Sequence, residues 1–302
     1  MNMSNKILGI GDIHLKPTYN SRLDDVKKTF ENKISSIKKI CEELKPDRIV
    51  CTGDWFEDKN PYNCSPGFLA WALGLLTFLD TPIYSIVGNH DIRNNDIGTL
   101  RTQPLGVLIS AGAIQRLFNE DGGYDYGEDL LEKAKEPRSP GGLGVFHCYT
   151  SESGGSMFGN EIVYPLKLFG SFGYSHVLIG HDHQCYDLAK VRDTWVHRPG
   201  SLFRMRRDDV DLNRSIKVSY IDLGGGKPEY LPIEHQPASK VFDMKVKEVV
   251  GQMDQNITSF VKSLSGIRSA SSAPIEDQIK TMGLSPEVSY IINDSLDKAK
   301  QE

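Results

Sequence analysis

The chain has 302 residues, a hydrophobic fraction of 39%, a charged fraction of 25% and a formal net charge of −5. That length buries a sizeable core without disulfides or structural metal, and the composition is that of a globular protein, not a disordered or collagen-like one. A negative balance excludes a protein that coats nucleic acid by charge alone, so any contact with nucleic acid has to be local, or assisted by metal or a partner.

In chain order, Lys6 to Ile10 (KILGI) is a short apolar run closed by Gly11 and reads as a strand. Ser21 to Lys45 reads as a helix. Leu23, Val26, Phe30, Ile34, Ile37, Cys41 and Leu44 recur at three- and four-residue spacing, and Pro46 ends the run. Arg48 to Cys51 predicts a second strand. Ser65-Pro66 looks like an N-cap with proline in the first turn, opening an apolar helix to about Leu79. Pro82 to Val87, Leu143 to Phe146 and His176 to Ile179 predict three more strands, and Val191 to Pro199 and Ser215 to Leu223 two late ones. Asn119 to Gly142, rich in Gly, Asp and Glu, reads as an inserted surface loop.

Strands that alternate with helices and are apolar on both faces predict an α/β fold with a buried sheet. Composition shifts after Gly224-Gly225-Gly226, and the stretch to Pro237 reads as a linker or edge extension. The domain boundary is expected at 235/236, with residues 236–302 a small C-terminal helical appendage. There, Lys240 to Val246 alternates like a strand, and 249–264 and 285–300 read as helices.

No apolar run reaches the ~18 residues of a membrane span, and the N-terminus lacks the apolar core and cleavage site of a signal peptide. Five scattered cysteines (Cys41, Cys51, Cys64, Cys148, Cys185), none in a C-x-x-C pair, predict reduced thiols. Together these features predict a cytoplasmic protein without a membrane partner.

Five strand ends carry the same kind of event: a tight glycine or a metal-ligand residue follows the apolar run at once. They are Gly11-Asp12-Ile13-His14, Gly53-Asp54, Gly88-Asn89-His90-Asp91, His147 and Gly180-His181-Asp182-His183. In α/β sheets, ligands bind outside the carboxyl ends of the strands, so five loops are expected to converge. Carboxylate, imidazole and carboxamide suit Mn, Fe, Zn, Ni or Co without a thiolate. The i, i+2 spacing of Asp12 and His14, and of His181 and His183, lets each pair point one way on an extended backbone. Seven ligands (Asp12, His14, Asp54, Asn89, His147, His181, His183) are too many for one tetrahedral metal and suit two metals sharing a carboxylate. Two metals about 3.5–4 Å apart clamp and polarise a phosphoryl group and lower the pKa of water. That is the chemistry of phosphate-ester hydrolysis. His90, free of metal, is then placed as general acid for the leaving oxygen or as a stabiliser of the developing charge, with Asp91 to orient it.

This order of motifs, over residues 6 to about 203, resembles the calcineurin-like metallophosphoesterase family. The resemblance implies a β-sandwich flanked by helices on both faces. It implies one metal held by Asp12, His14, Asp54 and His183, a second held by Asp54, Asn89, His147 and His181, and His90 as the catalytic histidine. Within the family the chain looks most like the SbcD/Mre11 DNA-repair nucleases. The features that suggest this are an apolar helix between Gly53-Asp54 and the Gly-Asn-His-Asp motif, Pro199-Gly200-Ser201 after the last histidine pair, and a short C-terminal appendage. That likeness implies two divalent ions, foremost Mn2+ with Fe2+, Zn2+, Ni2+ or Mg2+ as alternatives. It implies DNA ends as substrate, an SbcC/Rad50-like ATPase partner docking on 249–264 and 285–300, and a homodimer. The alternative is a phosphodiesterase or phosphatase acting on nucleotides, small phosphodiesters or phosphoproteins.

Weaker features admit two readings each. Arg204, in a basic cluster with Arg206 and Arg207, is a phosphate contact or part of a charged edge balanced by Asp208, Asp209 and Asp211. Arg93 is a substrate-phosphate contact or a surface charge. Trp55 and Tyr62 are base-stacking or packing residues. His176 and His197 fall outside the ligand pattern and read as structural.

Overall fold

A computed structural model describes residues 5–19, 21–136, 141–156, 161–206 and 208–243. The chain divides into two compact units, Met1–Met244 and Lys245–Glu302. The helices expected at 249–264 and 285–300 lie outside the described residues.

The strands are β1 (Lys6–Ile10), β2 (Arg48–Cys51), β3 (Ile83–Ser85), β4 (Gln115–Arg116), β5 (Gly123–Tyr124), β6 (Leu143–His147), β7 (Tyr149–Ser151), β8 (Gly155–Ser156), β9 (Ile162–Pro165), β10 (His176–Gly180), β11 (Ala189–Val191), β12 (Thr194–His197), β13 (Lys217–Asp222) and β14 (Glu229–Pro232). The helices are α1 (Val26–Leu44), α2 (Pro66–Thr77), α3 (Pro104–Ser110), α4 (Leu130–Lys133), α5 (Asp209–Asn213) and α6 (Ala238–Val241).

One sheet has the order β14-β13-β1-β2-β3-β4 and a second β11-β12-β10-β6-β5. β1, β2, β3 and β4 run parallel, as do β5, β6, β10 and β12. Ile7, Val50, Ile86 and Leu117 of the first sheet and its loops pack on Leu143, Val145 and Leu178 of the second. At Gly9 the two sheets come so close that a Cβ would stand 2.9 Å from Leu178 Cδ2. Each of these aliphatic side chains contributes about 1.5–3 kcal/mol by leaving water. The outer face of the first sheet is covered by α1 and α2, through Phe30, Ile34, Ile37, Phe68 and Leu76. That of the second is covered by the 3-10 segment Leu166–Ser171 and by α4, through Leu166, Phe169 and Leu130. The α/β sandwich read from the sequence is thus present, with unequal helical layers.

The boundaries have local causes. α1 starts at Val26 because Asp25 accepts the Lys28 amide as N-cap, and Lys45 closes it in the left-handed region before Pro46. Leu23, expected on the apolar stripe, lies ahead of the helix and is 67% exposed. Ser65 caps α2 by accepting the Phe68 amide, with Pro66 in the first turn. Three expectations are corrected. Asn119 to Gly142 is not an inserted surface loop: it supplies β5 and α4, and Tyr124 stacks on Phe146 at 4.4 Å. The expected strand at 191–199 is a hairpin, because Arg192, at φ 54, turns the chain between β11 and β12. Lys240 and Val241 belong to α6 and not to a strand, with Val241 and Phe242 buried against Leu212.

Candidate metal centre

The parallel strands β1, β2, β3, β6 and β10 deliver their carboxyl ends to one rim. Asp12 and His14 follow β1, Asp54 follows β2, Asn89 follows β3, His147 ends β6, and His181 and His183 follow β10. Asp12, His14, Asp54, His147 and His181 are all buried. Among the described residues three groups could hold a metal ion: Asp12, His14 and His183; Asp54, His147 and His181; and, sharing His14 with the first, His14, Glu57 and His90. Within each group the ligand atoms all lie within 4.8 Å of one another.

Asp54 Oδ2 stands between the first two groups, 3.4 Å from His14 Nε2 and 3.3 Å from His147 Nε2. Asn89 Oδ1 is 3.0 Å from His147 Nε2. Asp54 Oδ2 and both ring nitrogens of His14 are buried without a hydrogen-bond partner. Buried polar atoms in this condition are rare and costly. Here they are hard or borderline lone-pair donors converging from several strands, so the residues fit a pair of divalent cations with Asp54 as the shared carboxylate.

The surrounding bonds orient this set. The His147 Nδ1 proton goes to the Thr52 carbonyl at 2.7 Å, which aims Nε2 inward. Asp12 accepts Thr52 Oγ1 at 2.6 Å and the His181 amide at 2.7 Å. Glycines permit the close approach: a Cβ at Gly180 would meet Asp12 Oδ1 at 2.3 Å, and one at Gly88 would meet Asp54 Oδ1 at 2.1 Å. The extended backbone assumed for the i, i+2 pairs is not found. His14, Asp54 and His181 have φ of 51, 50 and 90°, a left-handed geometry costing on the order of 1–3 kcal/mol each.

Burial works against charging His147, but the Asp54 and Asp12 carboxylates outweigh it and raise its pKa to about 10. Asp54 is held well below the carboxylate range by His147 and His14, despite its burial. Burial, reinforced by neighbouring His14, drives His183 down to about 2, leaving it neutral.

His90 sits beside the first group, its ring 4.8 Å from that of His14, and is partly open to solvent. Its Nδ1 donates to the Glu57 carbonyl at 2.7 Å, so Nε2 is the atom left for substrate. Asp91 does not orient it, which corrects the expected role. The Asp91 carboxylate is buried and accepts the amides of Asp54 (2.7 Å), Trp55 (2.9 Å) and Gly88 (2.9 Å), tying the β2 and β3 loops together. Glu57 places an oxygen 2.8 Å from His14 Nδ1, without hydrogen-bond alignment.

The other expectations divide. Arg93 lies on an exposed turn, its amide donating to Thr99 Oγ1. Arg204 is buried, and its guanidinium donates to the carbonyls of Gln236 (2.8 Å) and Arg214 (2.7 Å), bracing the packing there. Trp55 is buried, its Nε1 on Ser85, whereas Tyr62 is 91% exposed. His176 and His197 pair with each other at 3.1 Å in the core.

Sequence reading missed Glu161, whose Oε1 lies 2.7 Å from His181 Nε2 and accepts the Tyr126 hydroxyl at 3.0 Å. No motif marks it, because it precedes β9 in a small sheet of order β7-β9-β8. Beside His147 and Glu161 opens a cavity of ≈ 150 Å³ walled by Tyr126, Tyr149 and Tyr164.

The family described as calcineurin-like phosphoesterase matches residues 5–185, and the chain belongs to that family. Membership makes it a metal-dependent phosphoester hydrolase by class. Among solved structures it is similar to TT1561 of Thermus thermophilus, at 13% identity over 77% of this chain and 100% of that one, with a TM-score of 0.43. It is also similar to hypothetical protein PH1004 from Pyrococcus horikoshii, at 13% identity over 83% and 93%, with a TM-score of 0.37.

Proposed function

We propose that the chain is an Mn2+-dependent phosphodiesterase acting on DNA, a nuclease of SbcD/Mre11 type that works with an SbcC/Rad50-like ATPase. The observation that carries the hydrolytic reading is Asp54 Oδ2, lodged between His14 Nε2 and His147 Nε2 with no hydrogen-bond partner of its own. Two bound cations would supply Lewis-acid polarisation of the phosphoryl group and an activated water. The protein's own part is to hold Asp12, His14, Asp54 and His183 on one side and Asn89, His147 and His181 on the other. His90 hands a proton from Nε2 to the leaving oxygen, its ring fixed through Nδ1. The nuclease assignment is supported by the motif order, by Pro199-Gly200-Ser201 after the histidine pair, and by a second unit of the chain beyond the catalytic one. DNA and the ATPase are the proposed partners.

Hydrolysis of end-labelled single- and double-stranded DNA in Mn2+, run beside a chromogenic phosphodiester, tests this. Cleavage of both, lost in His90→Ala and Asp54→Ala, is the expected result. A second reading draws on the tyrosine-walled cavity next to His147, which has room for one aromatic ring and carries Glu161, a poor neighbour for a polyanion. It takes a nucleotide or small phosphodiester as substrate. Turnover of nucleotide phosphodiesters with none of DNA, even with the ATPase present, would establish it instead.

A further inference from the structure

Away from the metal centre, α1 carries a lysine where its apolar stripe calls for a hydrophobe. Lys33 sits between Phe30 and Ile34 and is 3% exposed. Among the described residues, no carboxylate or carbonyl hydrogen-bonds its ammonium; its near neighbour is the Phe203 ring, 5.4 Å from Nζ. Three arginines surround it. Arg22 pairs with Asp24 through two bonds of 2.9 and 2.6 Å, and Arg214 with Asp211 at 2.7 Å. Among the described residues Arg204 has no carboxylate hydrogen-bond partner, and its Nε is buried without one of any kind. Four basic side chains therefore face two carboxylates, and both carboxylates are already engaged. Asp24 also accepts the Thr29 hydroxyl, and Asp211 the amides of Met205 and Arg206.

Lys33, Arg22 and Arg204 line one cavity together with Asp24, Thr29 and His235. Its volume of ≈ 20 Å³ is enough for one water or one monatomic ion and too little for a nucleotide. It opens beside exposed Gln236. Burial, then Arg214, Arg22 and Arg204, push the Lys33 ammonium well below its usual pKa, and an anion among these groups would offset their mutual repulsion.

We propose that this cavity binds a small inorganic anion, either chloride or one oxygen of phosphate, between Lys33 Nζ and the guanidinium groups of Arg204 and Arg22. The loop carrying Arg204 also donates Ser201 N–H to the His183 carbonyl and Leu202 N–H to the Asp12 carbonyl. The anion therefore braces the back of the strand-end loops that hold two of the proposed metal ligands.

The test is thermal unfolding of the full chain at constant ionic strength in gluconate, with chloride or phosphate replacing it, for wild type and Lys33→Met. At tenfold excess over Kd, wild type gains about 3–6 °C in Tm. Lys33→Met gains nothing from that anion and starts at or above wild type in gluconate. The anion with the larger differential identifies the source, and phosphate bound at the metal centre cancels because it acts on both proteins. Equal responses of the two proteins, or none, overturn the proposal. If Lys33→Met fails to fold, wild-type crystals soaked in bromide decide it: an anomalous peak at Lys33 supports the site, and an empty cavity rejects it.

Discussion

Asp54 concentrates the chemistry of the centre in one atom. Because its Oδ2 stands between His14 and His147, Asp54→Ala is expected to lower bound metal from two equivalents towards one or none and to abolish hydrolysis. His90→Ala is expected to keep both metals and lose roughly 10²–10⁴-fold in kcat. Elemental analysis beside kinetics separates the two cases, and loss of metal in His90→Ala would count against its role as an acid. The proton balance of the metal-free site gives a third expectation. His147, raised to about 10 by Asp54 and Asp12, is protonated at neutral pH. A group whose folded pKa is raised stabilises the folded state below its unfolded value near 6.5, and loses that contribution as pH climbs through 10. A cation must displace that proton, so metal affinity rises with pH between 7 and 9, with proton release on binding. Titration calorimetry in buffers of different ionisation enthalpy checks it, and an affinity flat across that range contradicts it. At this scale the seven candidate ligand positions were legible in the sequence because they cluster at or within a few residues of strand ends. Glu161 and Lys33 were not recognised. The first lies in no motif, and the second was hidden by a helix stripe in which a single charge passes for a surface residue.

At the scale of elements, Asp91 shows how loops rather than strands set the geometry. Its carboxylate accepts three buried amides from two loops. Asp91→Ala leaves those amides unsatisfied and is expected to cost on the order of 3 kcal/mol, read from urea unfolding, with weakened metal binding. Unchanged stability would show that water replaces the carboxylate. Strands β1, β2, β6 and β10 were legible as continuous apolar runs because both of their faces are covered. β4, β5 and β8, two residues each, have no period to read. α3 begins at Pro104 and spans only seven residues, too short to show a helical period.

For the whole molecule, the sequence conveyed a two-layered α/β sandwich but not where the catalytic unit ends. Val241 and Phe242 are buried, and Arg204 donates to the Gln236 carbonyl. A cut at the expected boundary, 235/236, would therefore strip the core. Residues 1–244 are expected to retain metal binding and hydrolysis of a small phosphodiester while losing the proposed ATPase. Full ATPase binding by that fragment would remove the partner role from residues 245–302. The distribution of ligands over the two sheets has a mechanical side. Asp12, Asp54 and Asn89 stand on loops of one sheet, and His147, His181 and His183 on the other. A cation held by both would act as a clasp on the open edge of a book whose inner faces meet largely through apolar side chains. Chelation should then loosen the pages from the clasp inward: amide hydrogen exchange quickens first at the carboxyl ends of β1, β2, β6 and β10, while their amino ends stay protected.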